Sequence, residues 1–235
     1  MVIASRRFLP LFITQFLGAF NDNLFKNALV MLVVFKLPDT TDHANQLVVL
    51  AGALFILPYF VFSSIAGQWA DKIDRARMAR ITKQWEIMVV VVGGVGFLGH
   101  YTELLLLVLF MLGTQSTFFG PVKYALLPQH LREDELLLGN SFIEAGTFLA
   151  ILLGTITGGV IIMQPGGEHM LVALSVVVAL LGYAASLFIP EAPAPVPAMK
   201  VGYNIIGETW RMVSHDRANT HVFRCILAIS WFWLV

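Results

Sequence analysis

The segment Gly67-Gln68-Trp69-Ala70-Asp71-Lys72-Ile73-Asp74-Arg75 is a charged break in a very apolar chain. It closes one apolar run, Leu47–Trp69, and leads through Arg77 and Arg80 into the next, Ile81–Gly99. A run of roughly 20 mostly apolar residues is what a helix needs to cross a hydrocarbon core of about 30 Å. Four further runs have that character: Phe8–Phe35, Leu104–Leu127, Leu138–Met163 and Met170–Ile189. A seventh begins near Val222 and is still apolar at Trp231-Phe232-Trp233-Leu234-Val235, the last residues of the chain. It reaches only about 21 Å at 1.5 Å per residue, short of a crossing. The expected organisation is therefore an all-α membrane protein. A six-helix amino-terminal bundle occupies residues 1–189, a linker with an amphipathic segment follows over 190–220, and a truncated seventh span covers 221–235.

Composition agrees. Of 235 residues, 57% are hydrophobic and 13% charged, and the mean hydropathy is +0.77. A soluble domain carries about 25% charged residues, so this chain has too few to cover a water-facing surface. Disordered chains are poor in apolar residues, which excludes that class as well. Fifteen basic and fifteen acidic residues give no net charge, and nothing points to nucleic acid. The single cysteine, Cys225, excludes a disulfide framework.

Basic residues orient the runs. Arg6 and Arg7 precede the first; Lys72, Arg75, Arg77, Arg80 and Lys83 crowd the second connection; Arg132 lies in the fourth; Lys200, Arg211, Arg217 and Arg224 follow the sixth. The alternate connections, Pro38–Gln46, His100–Glu103 and Gln164–His169, have only Lys36 beside them. The positive-inside rule then places the amino terminus and the basic loops in the cytoplasm. After the sixth run, Pro190-Glu191-Ala192-Pro193-Ala194-Pro195-Val196-Pro197 reads as a stiff extended spacer. Met199–Ser214 mixes Val201, Ile205, Trp210 and Met212 with Lys200, Glu208 and Arg211, the pattern of a segment lying on the membrane surface. Six spans, a long cytoplasmic connection and a new span are the plan of one half of a two-half transporter.

The loop quoted first resembles the signature of the major facilitator superfamily. That signature has a glycine, an aspartate four residues on, a basic residue, and an arginine four beyond the aspartate. Here these are Gly67, Asp71, Lys72 and Arg75, with departures at Asp74, where the family usually has glycine, and at Ala76, where it usually has a basic residue. Gly67 would permit close approach of a neighbouring helix, and Asp71 could face a helix N-terminus with Arg75 one turn away. The three are expected to form a conformational latch. The plainer alternative is a basic loop that merely obeys topology.

Charges inside the runs are costly, about 2.5–3.5 kcal/mol at the bilayer centre on insertion scales, so they face a cavity or a partner. Asn21-Asp22-Asn23 and Lys26 lie mid-run, with Asp22 and Lys26 on one helix face. Lys123 follows Gly120-Pro121, which would bend or open its helix, and Glu144 lies early in the fifth run. Glu86 is set aside as close to the interface. Phe16–Asn23, Gly120–Leu127 and Gly139–Ala145 resemble the lysophospholipid transporter branch of the superfamily. That resemblance implies a protein of the bacterial inner membrane that flips lysophospholipids from the outer to the inner leaflet by alternating access. It also implies a carboxy-terminal half as partner and, in some members, a fused acyltransferase and acyl-ligase that re-acylate the lipid.

The side chains suit such a headgroup. Lys123 or Lys26 could hold the phosphate, and Asp22 or Glu144 the ammonium. Phe12, Phe16 and Phe20 could line a path for the acyl tail, though core packing explains such a stripe more simply. The competing reading of the four charges is one structural ion-pair network without a ligand. On the same fold the chain could instead export drugs or small metabolites, or serve as the membrane module of a fused lipid acyltransferase.

Other signals are discounted. Gly94-Val95-Gly96-Phe97-Leu98-Gly99 matches a dinucleotide fingerprint in letters, but it lies within an apolar span and lacks the acidic residue that should follow. Close helix packing accounts for it, and for Gly154-Thr155-Ile156-Thr157-Gly158. The histidines lack metal-ligand spacing, so no metal or cofactor is expected. No nucleophile elbow or phosphate-binding loop is present, and no enzyme is read here.

Overall fold

A computed structural model describes residues 2–36 and 41–216, together with positions 220, 223–225, 227, 228 and 231. Among the described residues the main helices are, in chain order, α1 Leu9–Phe35, α2 Thr41–Lys72, α3 Arg75–Gly99, α4 Thr102–His130, α5 Glu133–Ile162, α6 Gly167–Leu187 and the short α7 Ile205–Asp216. Among the described residues there is no strand. The expected seventh span, 221–235, lies largely outside the described residues.

Local chemistry sets the helix ends. Pro10 sits in the first turn of α1, where a missing N–H costs nothing. Asp74 caps α3, its Oδ1 accepting from Arg77 N at 2.8 Å. Glu133, Asp134 and Glu135 fill the first turn of α5, where the helix dipole favours negative charge. Helices α2 to α6 each begin before the apolar run that announced them; α3, for instance, starts at Arg75 rather than near Ile81. Hydropathy detects only the part that must avoid water, and the helix continues beyond it.

Helices α2 to α6 are each long and apolar enough to cross a membrane. Helix α1 has the length, 27 residues, but Gln15, Asn21, Asp22, Asn23, Lys26 and Asn27 interrupt its apolar character. Its polar residues turn inward: Asn21, Asp22 and Asn23 are buried.

Packing has an internal symmetry. Helix α1 lies against α5 and α6, α4 lies against α2 and α3, and α3 meets α6. Exchanging α1 with α4, α2 with α5 and α3 with α6 returns the same set of neighbours, as in bundles built from two three-helix repeats. Small residues allow the closest approaches. A Cβ at Gly154 would strike the Phe20 carbonyl, and one at Gly158 the Leu24 carbonyl, so α5 touches the backbone of α1. Gly94 faces Val172 of α6, and Gly96 faces Leu105 of α4. The glycines of the discounted fingerprint are thus packing residues.

Two apolar clusters hold the bundle. One surrounds Leu24, Phe25, Val89, Phe97 and Leu109; the other, at the end carrying the α2–α3 turn, contains Phe8, Ala76, Val122, Leu126 and Ile189. Phe8, Phe12 and Phe16 stack in series at 5.9 and 6.1 Å between ring centroids, with Phe8 fully buried. Helix α7 rests on α2, with Ile205, Ile206 and Trp210 around a cleft that Phe60 also lines.

One basic residue belongs elsewhere than its neighbours in sequence suggest. Lys83 follows the cations Arg75, Arg77 and Arg80 in sequence, but it is inside α3 and fully buried. The helix begins two turns before it, and its partner Glu86 lies one turn further on.

Candidate functional site

A cavity of about 380 Å³ opens between α1, α2, α4 and α5. Asp22 and Lys26 reach it from α1, Tyr59 from α2, Ser116 and Lys123 from α4, and Thr147 from α5. Three of the four predicted charges therefore share one cavity. Glu144 is not among the lining residues; its carboxylate accepts the Tyr124 hydroxyl at the cavity edge.

Asp22 and Lys26, four residues apart on α1, form no ion pair among the described residues. Asp22 accepts the Ser116 hydroxyl on Oδ2, while its Oδ1 is buried without a partner among the described residues. Lys26 Nζ lies over the Phe55 ring, 5.1 Å from its centroid, and Lys123 Nζ over the Tyr124 ring at 4.7 Å. Both ammonium groups are thus held by aromatic faces rather than by carboxylates. A cation held this way keeps its capacity to take an anion. Helix α4 continues unbroken through Gly120 and Pro121, so the helix is not opened there. Among the described residues no neighbour lies within 4 Å of a Cβ at Gly120, which lines the cavity and leaves it room.

In the cavity wall, where Lys83 and Gln115 also line it, lies a second charged group that hydropathy concealed. Lys83 Nζ pairs with Glu86 Oε2 at 2.5 Å, both side chains being 1% exposed. Glu86, set aside as interfacial, is instead at the centre of four helices. It accepts Asn21 Nδ2 of α1 at 3.1 Å and Gln115 Nε2 of α4 at 3.3 Å, while Asn21 also donates to the Ser175 carbonyl of α6 at 3.3 Å. Lys83 lies 5.3 Å from the Phe119 centroid, opposite Gly18, where no side chain obstructs it. A buried charge is tolerable when paired and hydrogen-bonded, and Glu86 meets both conditions. Gln115 and Ser116 link this group to Asp22. The signal that could have found them is the polar triplet Gln115-Ser116-Thr117 within apolar α4, placed as Asn21-Asp22-Asn23 is within α1.

The predicted latch residues stand at the end carrying the α2–α3 turn. Arg75 Nη2 meets Asp71 Oδ1 at 2.9 Å, and the same guanidinium donates to the carbonyls of Ala70 and Ala125, both at 3.2 Å. It therefore ties the end of α2 to α4. Gly67 differs from expectation, since nothing among the described residues approaches it within 4 Å of a Cβ.

The family model described as Major Facilitator Superfamily matches residues 11–235. The lysophospholipid transporter LplT of Salmonella schwarzengrund (strain CVM19633) is 30% identical over 237 residues, covering 97% of this chain and 51% of its own. That of Serratia proteamaculans (strain 568) is 29% identical over 203 residues, covering 84% and 46%. The Klebsiella pneumoniae (strain 342) protein of the same name is 28% identical over 233 residues, covering 97% and 51%. The chain spans about half the length of the curated relatives it matches.

Proposed function

The chain belongs to the major facilitator superfamily, and on that premise we propose that it forms the six-span amino-terminal half of a lysophospholipid transporter. Helix α1 joins α2 to α6 as the first of the six spans, its polar face turned to the cavity. The amino terminus and the α2–α3 turn face the cytoplasm, the membrane is the bacterial inner membrane, and the seventh span begins the carboxy-terminal half. Alternating access moves the substrate from the outer leaflet to the inner one. Any acyltransferase or acyl-ligase would act on the lipid after this step.

The observation that carries the reading is the pair of aromatic-held cations beside a half-satisfied carboxylate in one cavity. A lysophosphatidylethanolamine headgroup presents one phosphate anion and one ammonium cation. Lys26 and Lys123 suit the first as point charges. Asp22 Oδ1, lacking a partner, suits the second. Glu144 is better placed to orient Tyr124, through its hydroxyl, than to meet the substrate. Asp71 and Arg75, with Gly67 on an uncovered helix face, suit a latch that closes against the other half.

Uptake of labelled lysophosphatidylethanolamine by proteoliposomes containing the full-length transporter tests the reading. Lysolipid should move to the inner leaflet, and soluble cationic dyes should not compete. Transport of such dyes without lysolipid would favour the exporter and overturn the proposal.

A further inference from the structure

We propose that residues 191–202, the start of the connection to the second half, form a docked strap that uses Asp74 as its anchor and braces the Asp71–Arg75 pair. The proposal rests on the transporter reading above only in assigning those residues to an inter-half connection.

The proline pattern leaves few backbone donors in this segment. Pro190, Pro193, Pro195 and Pro197 lack an N–H, so the N–H groups of Ala192 and Val196 are among the few that can attach it. Both are used. Ala192 N donates to Asp74 Oδ2 at 2.9 Å, and Val196 N donates to the Asp71 carbonyl at 2.9 Å. In return Arg75 N donates to the Ala192 carbonyl at 3.0 Å. The Asp71, Asp74 and Arg75 backbone or side chain thus all bear on the strap.

Neighbouring helices hold its two ends. Arg80 of α3 donates to the carbonyls of Ser186, in the last turn of α6, and of Ile189, just ahead of the strap, at 3.4 and 3.1 Å. Gln129 of α4 donates to the Pro193 carbonyl at 3.2 Å. Further on, Gly202 N donates to Gln68 Oε1 at 2.7 Å. Ala192 itself is 1% exposed and belongs to the apolar cluster beneath the turn. A free spacer would neither bury an alanine nor spend its scarce N–H groups on one loop. Proline also lowers the entropy the undocked segment would have, so docking costs less order.

Asp74 carries the arrangement because its two oxygens have separate tasks. Oδ1 caps α3 and Oδ2 takes Ala192. Asp74 is the position at which the loop departs from the glycine of the superfamily signature. Glycine would leave the cap nearly unharmed, since it is itself tolerated at N-caps. It could not hold the strap.

The test uses the full-length transporter in a Cys225→Ser background, with hydrogen–deuterium exchange over residues 186–200 and the labelling rate of Ala19→Cys on the cavity wall. In the parent protein the Ala192 and Val196 amides should be protected. Asp74→Gly should raise their exchange on the order of tenfold, the loss expected when a hydrogen bond to a charged acceptor is removed. Amides of α1 to α6 beyond the first turn of α3, where Asp74 caps Arg77 N, should keep their protection, and Ala19→Cys should label at least threefold faster. Asp74→Asn, whose amide can accept from only one of the two N–H groups, should fall between. Rapid exchange in the parent, or unchanged exchange in Asp74→Gly, would overturn the strap. Released amides with an unchanged labelling rate would overturn its bracing role. Neither readout uses lysolipid, so failure of the transport reading would show separately.

Discussion

Lys83 and Glu86, one turn apart on α3, form an ion pair at 2.5 Å with both side chains 1% exposed. Glu86 in turn takes hydrogen bonds from α1 and α4, so the pair sits where four helices meet. Removing one partner of such a pair leaves a buried charge uncompensated and costs about 3–5 kcal/mol, whereas an apolar pair of similar volume can be neutral. Glu86→Gln and Lys83→Met should each lower the melting temperature in detergent markedly. Lys83→Met with Glu86→Leu should recover much of the loss. If the double variant melts as low as the singles, the pair is not the unit that matters.

The contact between α1 and α5 is made through glycine. Because a Cβ at Gly154 or Gly158 would meet main-chain carbonyls rather than movable side chains, relief requires the helices to separate. Gly154→Ala and Gly158→Ala should each destabilise by about 1–3 kcal/mol, the usual cost of overpacking. Gly120→Ala, with open space at its Cβ, should melt close to the parent. Thermal melts of the three side by side check this, and equal behaviour would contradict the packing.

How much of this was legible beforehand follows from what hydropathy can detect. Helices α2 to α6 announce themselves because each must present an apolar surface along most of its length. Asp22, Lys26 and Lys123 were found because a charge stands out within an apolar run. Lys83 was missed for the converse reason: it follows four cations of a loop, and nothing in the composition marks the turn at which a helix becomes buried. Gln115 and Ser116 carry no charge and drew no notice, although they join Asp22 to Glu86. The spacing of four puts Asp22 and Lys26 on one helix face but does not say whether they pair, because Phe55 and Ser116, from other helices, offer each group a different partner. Proline content announced the stiffness of residues 190–197, but stiffness does not say where a segment lies.

Orientation rests on the distribution of basic residues, and the structure adds a detail. Lys36, the one cation near the sparsely charged connections, is paired with Glu168 at 2.7 Å. In a Cys225→Ser background, an impermeant thiol reagent added to intact cells should label Glu103→Cys and Glu168→Cys but not Arg77→Cys or Arg211→Cys. Labelling at position 77 would reverse the assignment.

The sharpest test of the cavity separates binding from structure at Lys123 and Asp22. Lys123 has an aromatic neighbour at 4.7 Å and no ion pair among the described residues, so its removal breaks no buried salt bridge. Lys123→Ala should therefore melt within a degree or two of the parent while lysolipid uptake falls at least tenfold. Lys123→Arg should retain part of the uptake, since it keeps the charge and changes the geometry. Asp22→Asn keeps an acceptor for Ser116 but loses the charge that an ammonium would need, so uptake should fall while Ser116 stays bonded. A purely structural network predicts something else: an Asp22→Asn loss that Lys26→Gln repairs. Because Asp22 and Lys26 are not paired, the double variant should remain as inactive as Asp22→Asn alone. Uptake and melting measured on the same preparations decide it. Full uptake by a stable Lys123→Ala protein would remove that lysine from the site, and rescue of Asp22→Asn by Lys26→Gln would return the cavity charges to a structural role.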